Sequence, residues 1–204
     1  MLRHTIALAL SIAVLVHAQA WDSQNNPQLF GAKYQYQFGQ LPTSHSLPSE
    51  ITPWSDNYYP SYEGGIAFRW NHDGRVSAWN YTLYSLEDLK SMSQEDLKTL
   101  SPAEKFDIYH GRYDYPTVKL ERQRTSPDDP MWAGLCHGWG PASIYYKQPE
   151  PKEVTNDDGI VIPFGSSDIK ALLTYFVAEY QPSGEDYAFM GSRCEEISGT
   201  MEDA

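Results

Sequence analysis

Residues 132–146 read Trp132-Ala-Gly134-Leu-Cys136-His137-Gly138-Trp139-Gly140-Pro141-Ala-Ser-Ile-Tyr-Tyr146, and the fold turns on what this stretch becomes. It places a thiol just ahead of an expected helix, with Pro141 tolerated in the first turn. A cysteine at a helix N-terminus faces backbone N–H groups without helical partners and the positive end of the helix dipole, both of which favour the thiolate. The thiolate is the nucleophilic form, and the same N–H groups suit the oxyanion of a tetrahedral intermediate, so the position fits acyl transfer. Gly134 and Gly138 are expected to leave room on either side for a substrate.

A second reading competes with the first. The chain has two cysteines, Cys136 and Cys194, and a disulfide closing a loop of that length would stabilise by ~4 kcal/mol in the chain-entropy model. The count leaves a nucleophile and a disulfide both open. His137 does not decide between them, because neighbouring side chains diverge by ~100° on a helix and point to opposite faces on a strand. It is expected to be structural or to face a substrate. A zinc site on Cys136, His137 and Cys194 lacks a second CxxC or HxxxH to complete it.

Outward from this stretch, the 204 residues carry a net charge of -12. Met1 leads through Arg3 and His4 into the apolar run Ile6 to Val16 and then Ala18-Gln19-Ala20, the pattern of a secretory signal peptide over residues 1–20. The run is too short for the ~20 residues that cross a bilayer, so no membrane association is expected after cleavage. The cleaved chain would carry -13, and such acidity disfavours nucleic acid and anionic lipid as partners. Twelve acidic residues lie between Glu150 and Ala204. Asp157-Asp158 is the best pair there for calcium, without EF-hand spacing.

Residues 21–52 form a polar leader in which Tyr34, Tyr36 and Phe38 alternate with polar residues, the pattern of one short edge strand. A domain spanning 53–204 begins with the aromatic-rich PWSDNYYPSYEGGIAFRW. Asn80-Tyr81-Thr82 is an N-glycosylation sequon and marks Asn80 as exposed. The pattern Ser85…Asp88 resembles a capping box and Ser101-Pro102-Ala-Glu104 is a better one, predicting two short helices near 86–99 and 102–110, the second ended by Gly111. Residues 123–131 read as a loop. Gly159–Gly165 reads as a strand pushed to a sheet edge by Pro163. Ser167 is expected to cap a helix whose apolar face holds Leu172, Leu173, Phe176, Val177 and Tyr180, with Pro182 ending it.

The run WAGLCHGWGPAS resembles the W-x-G-x-C-H-G-W-A-P-A signature of the transglutaminase elicitor family, secreted enzymes of oomycete plant pathogens. It departs only at Gly140, where the family usually has alanine. The segment from Pro53, SPAEKFDIYHGRYDYP from Ser101 and GSSDIKALLTY from Gly165 are similar to the same family, in the same order. The resemblance implies an α+β fold with a papain-like placing of the cysteine helix, and Cys136 as nucleophile. It implies a thioester formed on a protein glutamine and transferred to a lysine or other amine, with calcium dependence. Trp132, His137 and Trp139 are the implied substrate-facing residues around the thiol.

In the family, the histidine that shuttles protons and the group that orients it lie downstream of the cysteine. The chain is therefore expected to hold the N-terminal and cysteine-bearing part of the domain and to lack its C-terminal catalytic portion. The upstream histidines His45, His72 and His110 are expected to be surface or core residues, with His110 the least improbable substitute base. Cys194 is then expected to be a thiol without its partner. The alternatives are a thiol hydrolase and a non-catalytic secreted interaction protein with Cys136 tied to Cys194.

Overall fold

The computed structural model describes residues 37–44, 46–70 and 78–179, so the expected signal peptide, most of the leader, Tyr180, Pro182 and Cys194 lie outside the described residues. The chain divides into two units, one of residues 1–43 with 182–204 and one of residues 44–181. In the first, the described part is a 3-10 turn at Phe38–Gln40. The expected edge strand does not extend through Phe38, because Gln40 and Leu41 donate their amides back to Gln37 and Phe38 at 2.9 and 3.1 Å. A backbone that satisfies itself locally has no donors left for a sheet.

The second unit is a mixed α+β arrangement, mostly helical with one two-stranded hairpin. Its elements run α1 (Leu86–Ser91), α2 (Gln94–Thr99), α3 (Pro102–Tyr109), α4 (Pro116–Arg124), α5 (Cys136–Tyr145), β1 (Lys152–Thr155), β2 (Val161–Phe164) and α6 (Ser166–Glu179), preceded by 3-10 turns at Ser61–Glu63 and Gly65–Ala67. Where one helix was expected near 86–99 there are two, because Ser93 accepts from the Asp96 amide and caps a new start. Ser85 and Ser101 cap α1 and α3 through full capping boxes, with Pro102 in the first turn of α3. Gly111 ends α3 as expected: at φ 64° it lets its own amide reach the Ile108 carbonyl and that of Arg112 reach Asp107, at 3.0 and 2.8 Å, the pairing of a Schellman motif.

Helix α4 has no cap of its own, which is why its start is illegible in the sequence. Its N-cap residue, Tyr115, sits in the left-handed region at φ 53° and makes no side-chain cap. The cap comes from α3 instead: Asp107 accepts from the amides of Thr117 at 3.0 Å and Val118 at 3.2 Å. Burial pushes the Asp107 carboxyl up, while those amides pull it down. The expected loop of residues 123–131 accordingly begins only after Arg124.

β1 pairs antiparallel with β2, Glu153 opposite Pro163 and Lys152 opposite Phe164. In a two-stranded sheet both strands are edges, so Pro163 is tolerated. Helix α6 begins at Ser166, two residues earlier than a Ser167 cap would allow, and Asp168 accepts the Gly165 amide at 2.7 Å. Its expected apolar face is not its buried one. Asp168, Lys170, Ala171 and Thr174 are buried, whereas Leu172, Leu173 and Val177 are half-buried and Phe176 is exposed. Small side chains are needed where α6 meets α5, as the glycines of α5 make plain below.

The core gathers Ile66, Leu89, Leu97, Leu100, Ile108, Val118, Leu135 and Ile162. Ion pairs run through it. Arg69 binds the fully buried Glu104 and its guanidinium stands 4.0 Å from the Tyr81 ring centroid. Glu121 accepts from the Ile66 amide at 3.0 Å and from Arg124 at 2.7 Å. Lys105 donates to Asp168 at 2.6 Å, with the two side chains 1% and 3% exposed.

Candidate functional site

The approach to Cys136 is fixed by pairing with a distant segment. Pro130 closes a turn by accepting the Ala133 amide at 2.8 Å; Ser61 then donates to Ala133 at 2.9 Å, and Leu135 donates to Tyr58 at 2.7 Å. Pro60 and Gly134 form an antiparallel bridge between these bonds. The Tyr58 hydroxyl donates to the Met131 carbonyl at 2.6 Å. Tyr59, between Tyr58 and Pro60, is buried with its backbone in the left-handed region at φ 49°, a conformation that non-glycine residues hold only where packing imposes it. Burial, then Asp56, pushes its phenol up.

Helix α5 starts at Cys136 itself rather than after it. The amides of Cys136 and His137 therefore precede the first helical hydrogen bonds, which Gly138 and Trp139 donate to Leu135 at 2.9 Å. Pro141 consequently lies inside the helix and not in its first turn. Among the described residues Cys136 is a free, exposed thiol. At helical spacing Cys136, Gly140 and Ile144 share one face, and all three are exposed. The opposite face buries Gly138 and Ala142.

The glycines do not play the parts expected of them. A Cβ on Gly134 would stand 2.7 Å from the Tyr58 carbonyl oxygen, and one on Gly138 would run into the Thr174 carbonyl of α6 and lie 2.7 Å from the Ala178 methyl. Both are glycine because backbone passes there, not to admit a substrate. The open ground belongs to Gly140, which has nothing within 4 Å of where a Cβ would stand, one helical turn from the thiol.

Of the other expected site residues, Trp132 is 67% exposed and His137 is exposed beside Cys136. Trp139 is half-buried, and its indole Nε1 is buried without a hydrogen-bond partner among the described residues. Asn80 is exposed in a turn. His110 caps the C-terminus of α3, with its ring edge-on to Phe106 at 4.6 Å and to Tyr109 at 5.0 Å. His45, His72 and Cys194 lie outside the described residues.

Calcium finds no fit among the described residues, where no group of three or more His, Cys, Asp or Glu could hold a metal ion. Asp158 is engaged by the Tyr113 hydroxyl at 2.6 Å. No helix among the described residues is long and apolar enough to cross a membrane.

Tyr58, Pro60 and Ser61 are the positioning residues that sequence reasoning missed. Their signal was present, since they fall in the segment from Pro53 that accompanies the cysteine motif, but which strand it pairs with is a long-range fact. No curated protein matches the chain, and no solved structure matches it. A family model described as transglutaminase elicitor matches residues 22–203, a span that takes in the bridge at Tyr58–Ser61 and the cysteine helix alike, and the chain belongs to the transglutaminase elicitor family.

Proposed function

We propose that the chain is a secreted protein-glutamine γ-glutamyltransferase with Cys136 as its nucleophile. The observation that carries this reading is an exposed free thiol at the first residue of a ten-residue helix, held by a bridge to Tyr58–Ser61, in a member of a transglutaminase family. The Cys136 thiolate attacks the side-chain amide carbon of a glutamine. The carbonyl π-electrons move onto oxygen, which the amides of Cys136 and His137 stabilise. The C–N bond then breaks, nitrogen takes up a proton and leaves as ammonia, and a thioester remains on Cys136.

A lysine or other primary amine attacks that thioester. The C–S bond breaks, the amine gives up its proton and the thiolate is restored. Family resemblance assigns the proton transfers to an imidazole. His137 diverges from its neighbour by ~100° around the helix, which suits it to line the substrate face together with Trp132 and Trp139. The cysteine helix would occupy a papain-like position. Secretion rests on the signal-peptide pattern of residues 1–20, and the exposed Asn80 is its glycosylation site.

Iodoacetamide applied to the secreted protein without reductant tests the thiol. Alkylation at Cys136 is expected; an unalkylated chain two hydrogens light would mean a Cys136–Cys194 disulfide and end this reading. A fluorescent primary amine should be incorporated into a glutamine-rich protein, and Cys136→Ala should abolish incorporation with an unchanged circular dichroism spectrum. Glutamate formation without amine incorporation would instead make the protein a thiol hydrolase.

A further inference from the structure

The end of α3, the β-hairpin and α6 line an open apolar hollow of about 240 Å³. Phe106 and Tyr109 come from α3, Val154 and Phe164 from the hairpin, and Ile169 and Leu172 from α6. No residue of α5 lines it, so it is separate in composition from the face that carries Cys136. Phe106 and Tyr109 remain 39% and 45% exposed, so the wall they make is available to a ligand. The His110 ring packs edge-on against both, which fixes the three rings relative to one another.

Among the described residues, the hollow is lined by a single charged side chain. Its remaining lining residues are His110 and Lys152, and although the chain has 27 acidic residues, no carboxylate lines it. Lys152 makes no ion pair among the described residues. An apolar cleft with a single ammonium group suits a ligand with an apolar body and one anionic end. Size narrows the choice. The volume falls below the ~300 Å³ at which drug-sized pockets begin, yet exceeds the ~150 Å³ of an engineered cavity that takes benzene. A body of about ten carbons fits between those limits.

We propose that this hollow binds a small amphiphilic carboxylate, such as a medium-chain fatty acid, with its chain against Phe106, Phe164 and Leu172 and its carboxylate at Lys152. The apolar body supplies most of the affinity. The ammonium group selects the anion over neutral chains of equal length, on a molecule whose net charge of -12 would otherwise repel it.

Decanoate and decanol titrated calorimetrically into the full chain test the proposal. Decanoate should bind saturably at one site, more tightly than decanol. Lys152→Ala should weaken decanoate roughly fivefold while leaving decanol unchanged, and Phe106→Ala should weaken both roughly tenfold. Both side chains are exposed, so thermal melts of the two variants should match the parent. Absence of saturable binding below about 1 mM, equal affinity for decanoate and decanol, or indifference to both substitutions would each overturn the proposal. Binding of an acidic aromatic peptide where decanoate fails would also overturn it and move the site to a protein partner.

Discussion

Gly138 and Gly140 stand two positions apart on α5 and answer to opposite constraints. Gly138 is pressed against the α6 backbone at Thr174, whereas Gly140 faces open space. Gly138→Ala should therefore cost about 1–3 kcal/mol by overpacking and, by pushing α5 off α6, lower thiol-dependent activity. Gly140→Ala should stabilise by about 0.5–1 kcal/mol, since alanine is the better helix former and meets nothing. Urea unfolding of the two variants checks this, and equal effects would refute the assignment of close packing to Gly138 alone. The identity of the cysteine and its aromatic neighbours was legible in the sequence because chemistry is carried by residue type. Which glycine is spaced for packing and which for access was not, since that depends on a helix 36 residues further along the chain.

Helix starts supply the same lesson one level up. Ser85 and Ser101 cap locally and were readable; α4 is capped by Asp107 from another helix and was not. The apolar face of α6 misled for a related reason. Its leucines and Phe176 are only partly covered, and its buried side carries Asp168 and Lys170, which are paired through tertiary contacts that periodicity does not encode. Asp168 ties α6 to α3 and to the segment at Trp70 by accepting from Trp70 Nε1 at 2.6 Å, Lys105 Nζ at 2.6 Å and the Gly165 amide at 2.7 Å. Burial pulls the Lys105 ammonium below the usual lysine range, and Asp168 partly offsets this. Asp168→Asn leaves a single acceptor oxygen, where Trp70 uses Oδ1 and Lys105 and Gly165 share Oδ2, and it strands the ammonium; it should cost about 3–5 kcal/mol. Adding Lys105→Met removes the stranded charge and should restore at least about 1 kcal/mol. A double variant whose loss merely equals the sum of the single losses would show the two groups to be uncoupled.

At the scale of the whole molecule, tyrosines rather than carboxylates set the alkaline limit of the fold. Tyr59, Tyr81 and Tyr115 are buried, and burial pushes each phenol up from its ordinary 10.0 to beyond the range in which an exposed tyrosine titrates. Burial likewise raises Tyr113 and Tyr175, each to about 12. For an acid whose folded pKa lies above its unfolded value, the native chain holds more protons than the unfolded one between the two values. The stabilisation is complete below pH 10 and declines as pH rises, by about 1.4 kcal/mol for each group and each pH unit. Three buried phenols acting together exhaust the 5–15 kcal/mol typical of a domain within roughly one to four pH units. Absorbance at 295 nm should therefore rise in two stages from pH 9 to 13, exposed tyrosines first and buried ones in a cooperative step that coincides with loss of far-ultraviolet circular dichroism. Tyr81→Phe removes one such group and should move that step to higher pH, provided that the hydrogen bond its hydroxyl donates to the Ala67 carbonyl at 2.7 Å contributes no more than about 1 kcal/mol. A single smooth titration centred near pH 10, with the circular dichroism unchanged, would show that these rings are open to solvent and that the core is not closed over them.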